Sequence, residues 1–510
     1  MTKAWGHATS RDLFAWTDHP IAIPDTPSEG SIFSGSVVVD LSANTTAAAG
    51  PAPVLAFFTS HKPAEQAQYL AFSLDGGYTF TPYVNNPLIS IGRHDFRDPK
   101  VEFHAPSGRW IMVVTLIDSV VFYGSADLRA WTALSVFKPD HYIGGIECPA
   151  LLRVARRRGR AGARSTAADD VVDYAYVLVL SLGNGGPGFR RSVVKYIVGS
   201  FDGTHFHPDP SSSSSSSSAV QTETYHALDF GPDAYATAFF HLPYPSTLHP
   251  PTTYSPAPAN LVSIAWASSL VYAGDTPTAV REGWRHCMTA AREHWIDAAT
   301  NRLASAPVPG PDGPTTHLHR QDIPIGPTPL VLTLAGDANP ARAFTLRVRA
   351  PRNASAAVEL AFATTAAAAA RREAVVVALG LRGDGTARLS LAREGMRAWQ
   401  APEWMRSFSP EADVESAAAV AVAGGGGPDE VREFVVSGVV DRSIVEVYAD
   451  GGLAAGTMLF FAEGVLGVAA VRSSGSGGLV RIDFESRELN SVWESGGEGG
   501  PEDDEGTGEL

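Results

Sequence analysis

The chain has 510 residues, is 44% hydrophobic and carries a formal net charge of -15. So acidic a chain excludes a polyanion such as nucleic acid as a natural partner, and no apolar run reaches the roughly 20 residues of a membrane helix. Two cysteines, Cys148 and Cys287, are too few for a disulfide framework.

The first stretch, MTKAWGHATSRDLFAWTDHPIAIPD, lacks the charged start and apolar run of a signal peptide and reads as the second half of a supersecondary unit. From there the apolar runs are short, rich in Val, Ile, Phe and Tyr, and separated by Gly, Pro, Asp and Asn. GSVVVDLS, RWIMVVTLI and YAYVLVLSLG are examples, and they predict an all-β protein. A turn recurs: SRDLFAW (Ser10 to Trp16), SLDGGYTF (Ser73 to Phe80), SADLRAW (Ser125 to Trp131) and SFDGTHF (Ser200 to Phe206). The spacing of about 50 to 75 residues suits propeller blades carrying loop insertions. Asp and Gly make the turn, and the aromatic that follows is expected to open the next strand and pack between neighbouring sheets.

A distinctive stretch precedes each later turn: FSGSVVVD, then FRDPKVEFH, then GGIECPALL, while DFGPDAYATAFF opens a fifth unit. The first strand of a propeller blade lines the central channel, so polar residues at these strand starts should converge on one axial pocket. The basic run Arg156 to Arg164, the Ser211 to Ser218 tract and the runs near Ala366 and Gly424 read as loop expansions. A helix in the Ala run would be short. GNGGPG from Gly183 lacks the Lys-Ser/Thr and helix of a phosphate loop. His205, His207 and the His286-Cys287 pair offer ligand atoms without a partner set at metal spacing, so neither metal nor cofactor is expected.

After about residue 320, TPLVLTLAGDANPARAFTLRVRA and EFVVSGVVDRSIVEVYADGG alternate polar and apolar, as half-buried sandwich strands do. The expected organisation is a five-bladed β-propeller with an incomplete first blade over 1–318, a C-terminal β-sandwich over 325–488, and an acidic disordered tail over 489–510.

Two carboxylates stand at strand entries. Asp98 follows Arg97 and precedes Pro99; Glu147 follows a Gly pair and precedes Cys148-Pro149. Asp before Pro is also a common turn starter. Channel-lining carboxylates suit glycoside hydrolysis, in which a retaining enzyme sets an acid/base and a nucleophile about 5 Å apart. The acid must hold its proton near neutral pH, which partial burial and a negative neighbour achieve. Arg97 should favour the ionised form of Asp98 if its side chain reaches it. Glu147 is therefore the expected acid/base and Asp98 the expected sugar binder.

Taken in order, FSGS, FRDPK, ECP and DFGPDAYA resemble glycoside hydrolase family 32, the invertases, inulinases, levanases and fructan hydrolases. WGHATSRDLFAWTDHPIAI, GNGGPGFRRSVVKYIVGSFDG and DRSIVEVYADGG (Asp441 to Gly452) are similar to further segments of that family. The resemblance implies cleavage of β-fructofuranosidic bonds of sucrose, inulin or levan with retention, and an extracellular or vacuolar location. It matches Glu147 to the acid/base and Asp98 to the stabiliser that holds fructose hydroxyls, with Arg97 beside it. It matches Phe33 and Ser34 to substrate-pocket residues and Cys148 to the family's Cys after the catalytic Glu; a small buried hydrophobe is the plain alternative for that Cys. The family's W-M-N-D-P-N-G segment, whose Asp is the nucleophile, has no counterpart here and would belong before residue 1. Leu270 stands where a second Trp is usual, and Ala291 replaces a Pro before Arg292 and Glu293, which read as an ion-pair segment. The alternative to an enzyme is a catalytically inactive sugar-binding propeller.

Overall fold

The computed structural model describes residues 3–489 apart from 27–29, 42–51, 140–143, 159–169, 184–191, 211–224, 243–259, 311–316, 335–340, 394, 396–409, 416–417, 421–430 and 477. The Ser tract, most of the basic run, the Gly-rich stretches after Gly183 and around Gly424, and the acidic tail beyond residue 489 lie outside the described residues. The Ala run forms a helix of one turn, Ala366–Ala370, capped by the Thr365 side chain.

Apart from a second one-turn helix, Thr278–Arg281, and short 3-10 turns, the regular structure among the described residues is strand. In chain order the first are β1 (Trp5–Ser10), β2 (Trp16–Ile23), β3 (Ser31–Val39), β4 (Val54–His61), β5 (Gln66–Ser73), β6 (Thr81–Pro82) and β7 (Ile89–Arg93). Then come β8 (Arg97–His104), β9 (Arg109–Thr115), β10 (Val120–Ser125), β11 (Thr132–Phe137), β12 (Ile146–Arg157), β13 (Val171–Leu182), β14 (Val193–Phe201) and β15 (Phe206–Pro208). Next is β16 (His226–Ala227), which pairs with β14, and the fifth unit holds β17 (Tyr235–Leu242), β18 (Asn260–Ala267), β19 (Cys287–Met288), β20 (Arg292–Asp297) and β21 (Arg302–Pro307).

These strands make five successive antiparallel blades. Among the described residues the first contains β1 and β2 alone; the second runs β3-β4-β5 with β6 and β7 on β5; the third is β8-β9-β10-β11. Blades four (β12 to β15) and five (β17 to β21) join where β12 meets β20 in parallel, at Arg156–Ile296 and Arg157–Asp297. Apolar clusters fill the gaps between blades. Leu55, Phe57 and Leu70 pack on Phe96, Val101 and Met112 between blades two and three. Ile111, Val113 and Phe122 meet Ile146, Leu151 and Leu178 between three and four.

The repeated turn has one construction throughout. Ser10 Oγ accepts from Leu13 N–H (2.8 Å), and Asp12 Oδ1 accepts from Phe14 and Ala15 N–H (both 2.8 Å). Ser125 and Asp127 repeat this on Leu128, Arg129 and Ala130, and Asp75 and Asp202 do so in their own turns. Backbone N–H groups aimed at the carboxylates of Asp12 and Asp127 hold both below the usual range. The aromatic after the turn is buried at Phe206, which meets Phe137 edge-on, and half-buried at Trp131, which packs edge-on against Phe57. Trp16, on the two-stranded blade, is exposed instead.

The second domain is a sandwich. Its first sheet orders β22 (His317–Ile325), β34 (Val480–Glu488), β24 (Arg342–Pro351), β30 (Val431–Val440), β31 (Ile444–Ala449) and β32 (Ala454–Leu459), with β29 (Ala418–Val420) on β30. The second orders β23 (Leu330–Thr333), β33 (Val468–Ser476), β25 (Ser355–Ala363), β26 (Ala374–Leu381), β27 (Thr386–Ala392) and β28 (Glu411–Glu415). As the alternation predicts, β24 buries Phe344, Leu346 and Val348 on one face, against Val358, Leu360 and Phe362 of β25.

His294, buried on β20, contacts Ser263 Oγ through Nε2 (2.7 Å), and burial beside Arg292 pushes its pKa down to about 3. The unfolded chain takes up that proton near the ordinary 6.5, so acid drains stability through His294 as pH falls from 6.5 toward 3. The stability advantage of the wild type over His294→Gln should therefore grow with pH up to about 6.5 and level off above it. Urea unfolding at a series of pH values measures this.

No helix among the described residues is long and apolar enough to cross a membrane.

Candidate active site

One backbone device builds the pocket. The inner strand of each of blades two to five carries a bulge near its start: Ile32 to Gly35 on β3, Arg97 to Lys100 on β8, Glu147 to Ala150 on β12, and Tyr235 to Ala238 on β17. A bulge inserts unpaired residues and turns a side chain out of the regular alternation. In three of them the second residue is left-handed: Asp98 at φ 63°, Cys148 at φ 44° and Ala236 at φ 49°. Such a conformation costs a non-glycine residue on the order of 1–2 kcal/mol, so the surroundings must hold it. Arg97-Asp98, Glu147-Cys148 and Tyr235-Ala236 are thus equivalent pairs on successive blades.

The first members of the three pairs meet. Arg97 Nη2 donates to Glu147 Oε1 (3.1 Å), and the Tyr235 hydroxyl donates to Glu147 Oε2 (2.5 Å). Burial and the facing Glu147 push the Tyr235 phenol far up, so it stays a neutral donor. Glu147 keeps 31% of its side chain open to solvent, enough to meet a ligand. Behind it, Thr115 Oγ1 donates to Ile146 O (3.0 Å) and accepts from Ile117 N–H (3.0 Å), which fixes the strand entry.

Asp98 lies deeper. Its Oδ2 accepts from Cys148 N–H (2.8 Å), joining the second members of two pairs, and sits 3.7 Å from Arg97 Nε. Its own N–H donates to Thr59 Oγ1 (2.9 Å); Thr59 donates to Gln68 Oε1 (3.0 Å), and Gln68 Nε2 to Phe96 O (2.8 Å). This buried chain locks the left-handed residue. Arg97 favours the ionised form of Asp98, as expected, but it is not the largest influence on that carboxyl. Arg97 does reach it, but desolvation outweighs the guanidinium and the Cys148 N–H, and Glu147 adds repulsion, so the pKa rises to about 6. Arg97 spends its shorter contact on Glu147.

The half-buried Cys148 has its thiol pushed well up, by desolvation and then by the negative charges of Asp98 and Glu147, so it is a neutral filler rather than a nucleophile. The Ser34 side chain hydrogen-bonds to that thiol. The Phe33 ring stacks on His61 (4.6 Å between centroids, 19°), with Lys3 Nζ 4.4 Å from the Phe33 centroid. Gly35 is required by close approach: a Cβ there would stand 1.9 Å from Phe57 O. Gly35→Ala should cost about 1–3 kcal/mol by overpacking, read as a lowered thermal midpoint.

Sequence reasoning missed Tyr235, Ser36 and Thr59. Tyr235 could have been found by aligning DAYA with RDP and ECP. Ser36 Oγ donates to Pro99 O (2.9 Å) and accepts from Val101 N–H (3.0 Å), clamping β3 to β8 beside the bulge. Leu270 does stand at the rim, since a Cβ on Gly183 would lie 3.4 Å from Leu270 Cδ1, 3.4 Å from Tyr235 Oη and 3.5 Å from Glu147 Oε2.

Arg292 is remote from this pocket. It is buried between Asp229 (2.7 Å) and Glu446 (2.7 Å), tying propeller to sandwich, while Glu293 accepts from Asn260 (2.9 Å). Arg292 forms the ion pairs its segment suggested, whereas Glu293 is met by a neutral amide. His207 pairs with Asp202 (3.0 Å), and His286 contacts Ala273 O (3.0 Å). Among the described residues, no group of three or more His, Cys, Asp or Glu side chains could hold a metal ion.

A propeller whose axial pocket gathers carboxylates, backed by a sandwich, is the architecture of a defined glycosidase family. Residues 1–307 match the family described as the glycosyl hydrolases family 32 N-terminal domain. Over 296 residues the chain is 34% identical to the extracellular exo-inulinase of Meyerozyma guilliermondii, an alignment covering 57% of this chain and 50% of that protein. Over 301 residues it is 35% identical to an invertase of Schizosaccharomyces pombe, covering 57% and 45%. The chain spans about half the length of these curated relatives. The structure of β-fructofuranosidase from Schwanniomyces occidentalis complexed with fructosyl-erythritol is similar with a TM-score of 0.73 at 26% identity, covering 96% of this chain and 90% of that one. This chain belongs to glycosyl hydrolase family 32.

Proposed function

We propose that this chain carries the acid/base and sugar-gripping parts of a retaining glycosidase acting on β-fructofuranosidic bonds of sucrose or fructans. The observation that carries this reading is the meeting of Arg97, Glu147 and Tyr235 from three blades, with Asp98 directly behind. Glu147 protonates the leaving-group oxygen in the first step and, as a base, activates water in the second. Tyr235 and Arg97 orient its two oxygens. Asp98 accepts fructose hydroxyls, strongest when ionised. Ser34 and Phe33 extend the pocket wall, and Cys148 fills the space between the carboxylates. Secretion fits the relative named as an extracellular enzyme.

The attacking carboxylate is assigned to a strand preceding Trp5, outside this sequence. Two observations support that assignment. Among the described residues the first blade holds two strands, and the face of β3 turned away from blade three leaves Val37 47% and Val39 44% exposed. On β8 and β12 no residue of the strand is exposed in this way. An added inner strand would cover those valines and bring its side chains to the axis.

The test is turnover of sucrose, inulin and levan by this chain and by one extended with the upstream coding sequence, alongside fructose calorimetry. Turnover by the extended protein alone is expected. Robust turnover by this chain would overturn the assignment of the nucleophile. Fructose binding without turnover by either would mark an inactive sugar-binding propeller.

A further inference from the structure

The propeller segment Asp229–Asp233 lies along β32, the last strand of the sandwich's first sheet. Phe230 N–H donates to Ala455 O (2.8 Å) and Asp233 N–H to Thr457 O (3.3 Å). In return Thr457 N–H donates to Asp229 Oδ1 (2.8 Å) and Leu459 N–H to Asp233 Oδ2 (2.8 Å). The four bonds alternate as those of a paired strand do, with two side-chain carboxylates standing in for backbone carbonyls. The approach is close enough that a Cβ on Gly231 would meet Thr457 O at 2.0 Å.

Each carboxylate has a side-chain partner in the sandwich. Asp229 holds Thr457 Oγ1 (2.7 Å) as well as Arg292, and Asp233 is paired with Arg393 Nη1 (3.1 Å). The same Arg393 nitrogen donates to Leu459 O (2.6 Å) and to the Tyr272 hydroxyl (3.3 Å). All of this is buried. Ala234 alone separates Asp233 from Tyr235, and two residues reach at most ~7 Å. Ala236, immediately after, is already fixed in the left-handed bulge. Tyr235 is thus held between a clamp and a bulge with no slack, and its hydroxyl is one of the two donors that orient Glu147.

We infer that the sandwich positions the acid/base of the propeller, by anchoring Asp233 to Arg393 and β32 and so fixing Tyr235 on Glu147. Asp233 and Arg393 are positioning residues; they touch neither sugar nor Glu147. The inference rests on the reading of Glu147 as the acid/base.

The experiment uses the full chain, with its tyrosines isotope-labelled at the ring carbon that bears the hydroxyl. Tyr235→Phe identifies the Tyr235 resonance, and Glu147→Gln marks where it moves when the phenol loses its charged acceptor. Asp233→Asn and Arg393→Met should shift the resonance most of the way to that mark, and Arg393→Lys should restore it. Asp233→Asn keeps an acceptor for Leu459 N–H, so it decides the matter if Arg393→Met does not fold. An unmoved Tyr235 resonance in either folded variant overturns the inference, because a merely structural clamp would lower stability and leave that signal in place. Fructose calorimetry on the same samples separates the two failures. A wild type that binds no fructose sinks the functional reading, while a resonance that still moves upholds the coupling.

Discussion

Asp98→Asn should weaken fructose binding about 10- to 100-fold, the loss of a hydrogen bond of about 1.5–3 kcal/mol made to a charged acceptor. Asparagine has the same shape and its Oδ1 can still accept from Cys148 N–H, so the change removes charge while leaving the fold. The wild type carries its own version of this experiment. With a pKa near 6, Asp98 protonates as pH falls through that value, and fructose affinity should fall with it. In Asp98→Asn that limb should vanish and the profile should be flat. Arg97→Ala should move the limb upward in pH, because the guanidinium opposes the burial of Asp98 and the repulsion from Glu147 works the other way. Calorimetry across the range settles all three. Wild-type affinity that does not change through pH 6 would remove Asp98 from sugar recognition.

The largest stability effect belongs to Arg292. Arg292→Met should cost about 3–5 kcal/mol, because it leaves Asp229 and Glu446 buried without their cation. Tyr448 and Ala290 N–H still donate to Glu446 (3.0 and 2.7 Å), but they bring no charge. Arg93→Ala is the control. Arg93 pairs with Asp95 at the same 2.7 Å, yet it is 54% exposed, and such pairs are worth about 1 kcal/mol or less. Denaturant unfolding should show the Arg292 variant losing the coupling between propeller and sandwich as well as total stability. A loss no larger than that of Arg93→Ala would mean that the two carboxylates find water once the arginine is gone.

Much of the architecture was legible because four of the five blades write the same short-range chemistry. Ser-x-Asp turns satisfy their own backbone with their own side chains, so four copies could be read without knowing what they joined. The sandwich was legible through alternation, as in β24. Long-range polar pairing was not. No spacing rule connects Asp229 with Thr457 or Asp233 with Arg393, since each pair depends on two domains packing at one angle. Asp98 and Glu147 were legible as carboxylates at strand entries, but not their offset within those entries. The bulge register aligns Arg97, not Asp98, with Glu147. A left-handed residue ahead of a proline marks the offset in both segments, and it takes backbone angles to see it. The sign of the Asp98 shift was hidden for a related reason: the neighbouring Arg97 is visible in sequence, whereas the depth of burial that outweighs it is not.

The four bulges also set what kind of change this fold can absorb. Each divides an inner strand into a short entry that reaches the axial cluster of polar side chains and a longer remainder that packs on the neighbouring blade, as Asp98 and Val101 do on β8. Substitutions in the entry can exchange one polar group for another while the remainder keeps its packing. Insertions and deletions have no such freedom, since losing a single residue at a bulge would straighten the strand and turn the entry side chain away from its present direction, while the remainder kept its register. The pocket should therefore diversify by replacement and almost never by change of length. A survey of single-codon deletions should find these four short entries among the least tolerant segments of the protein.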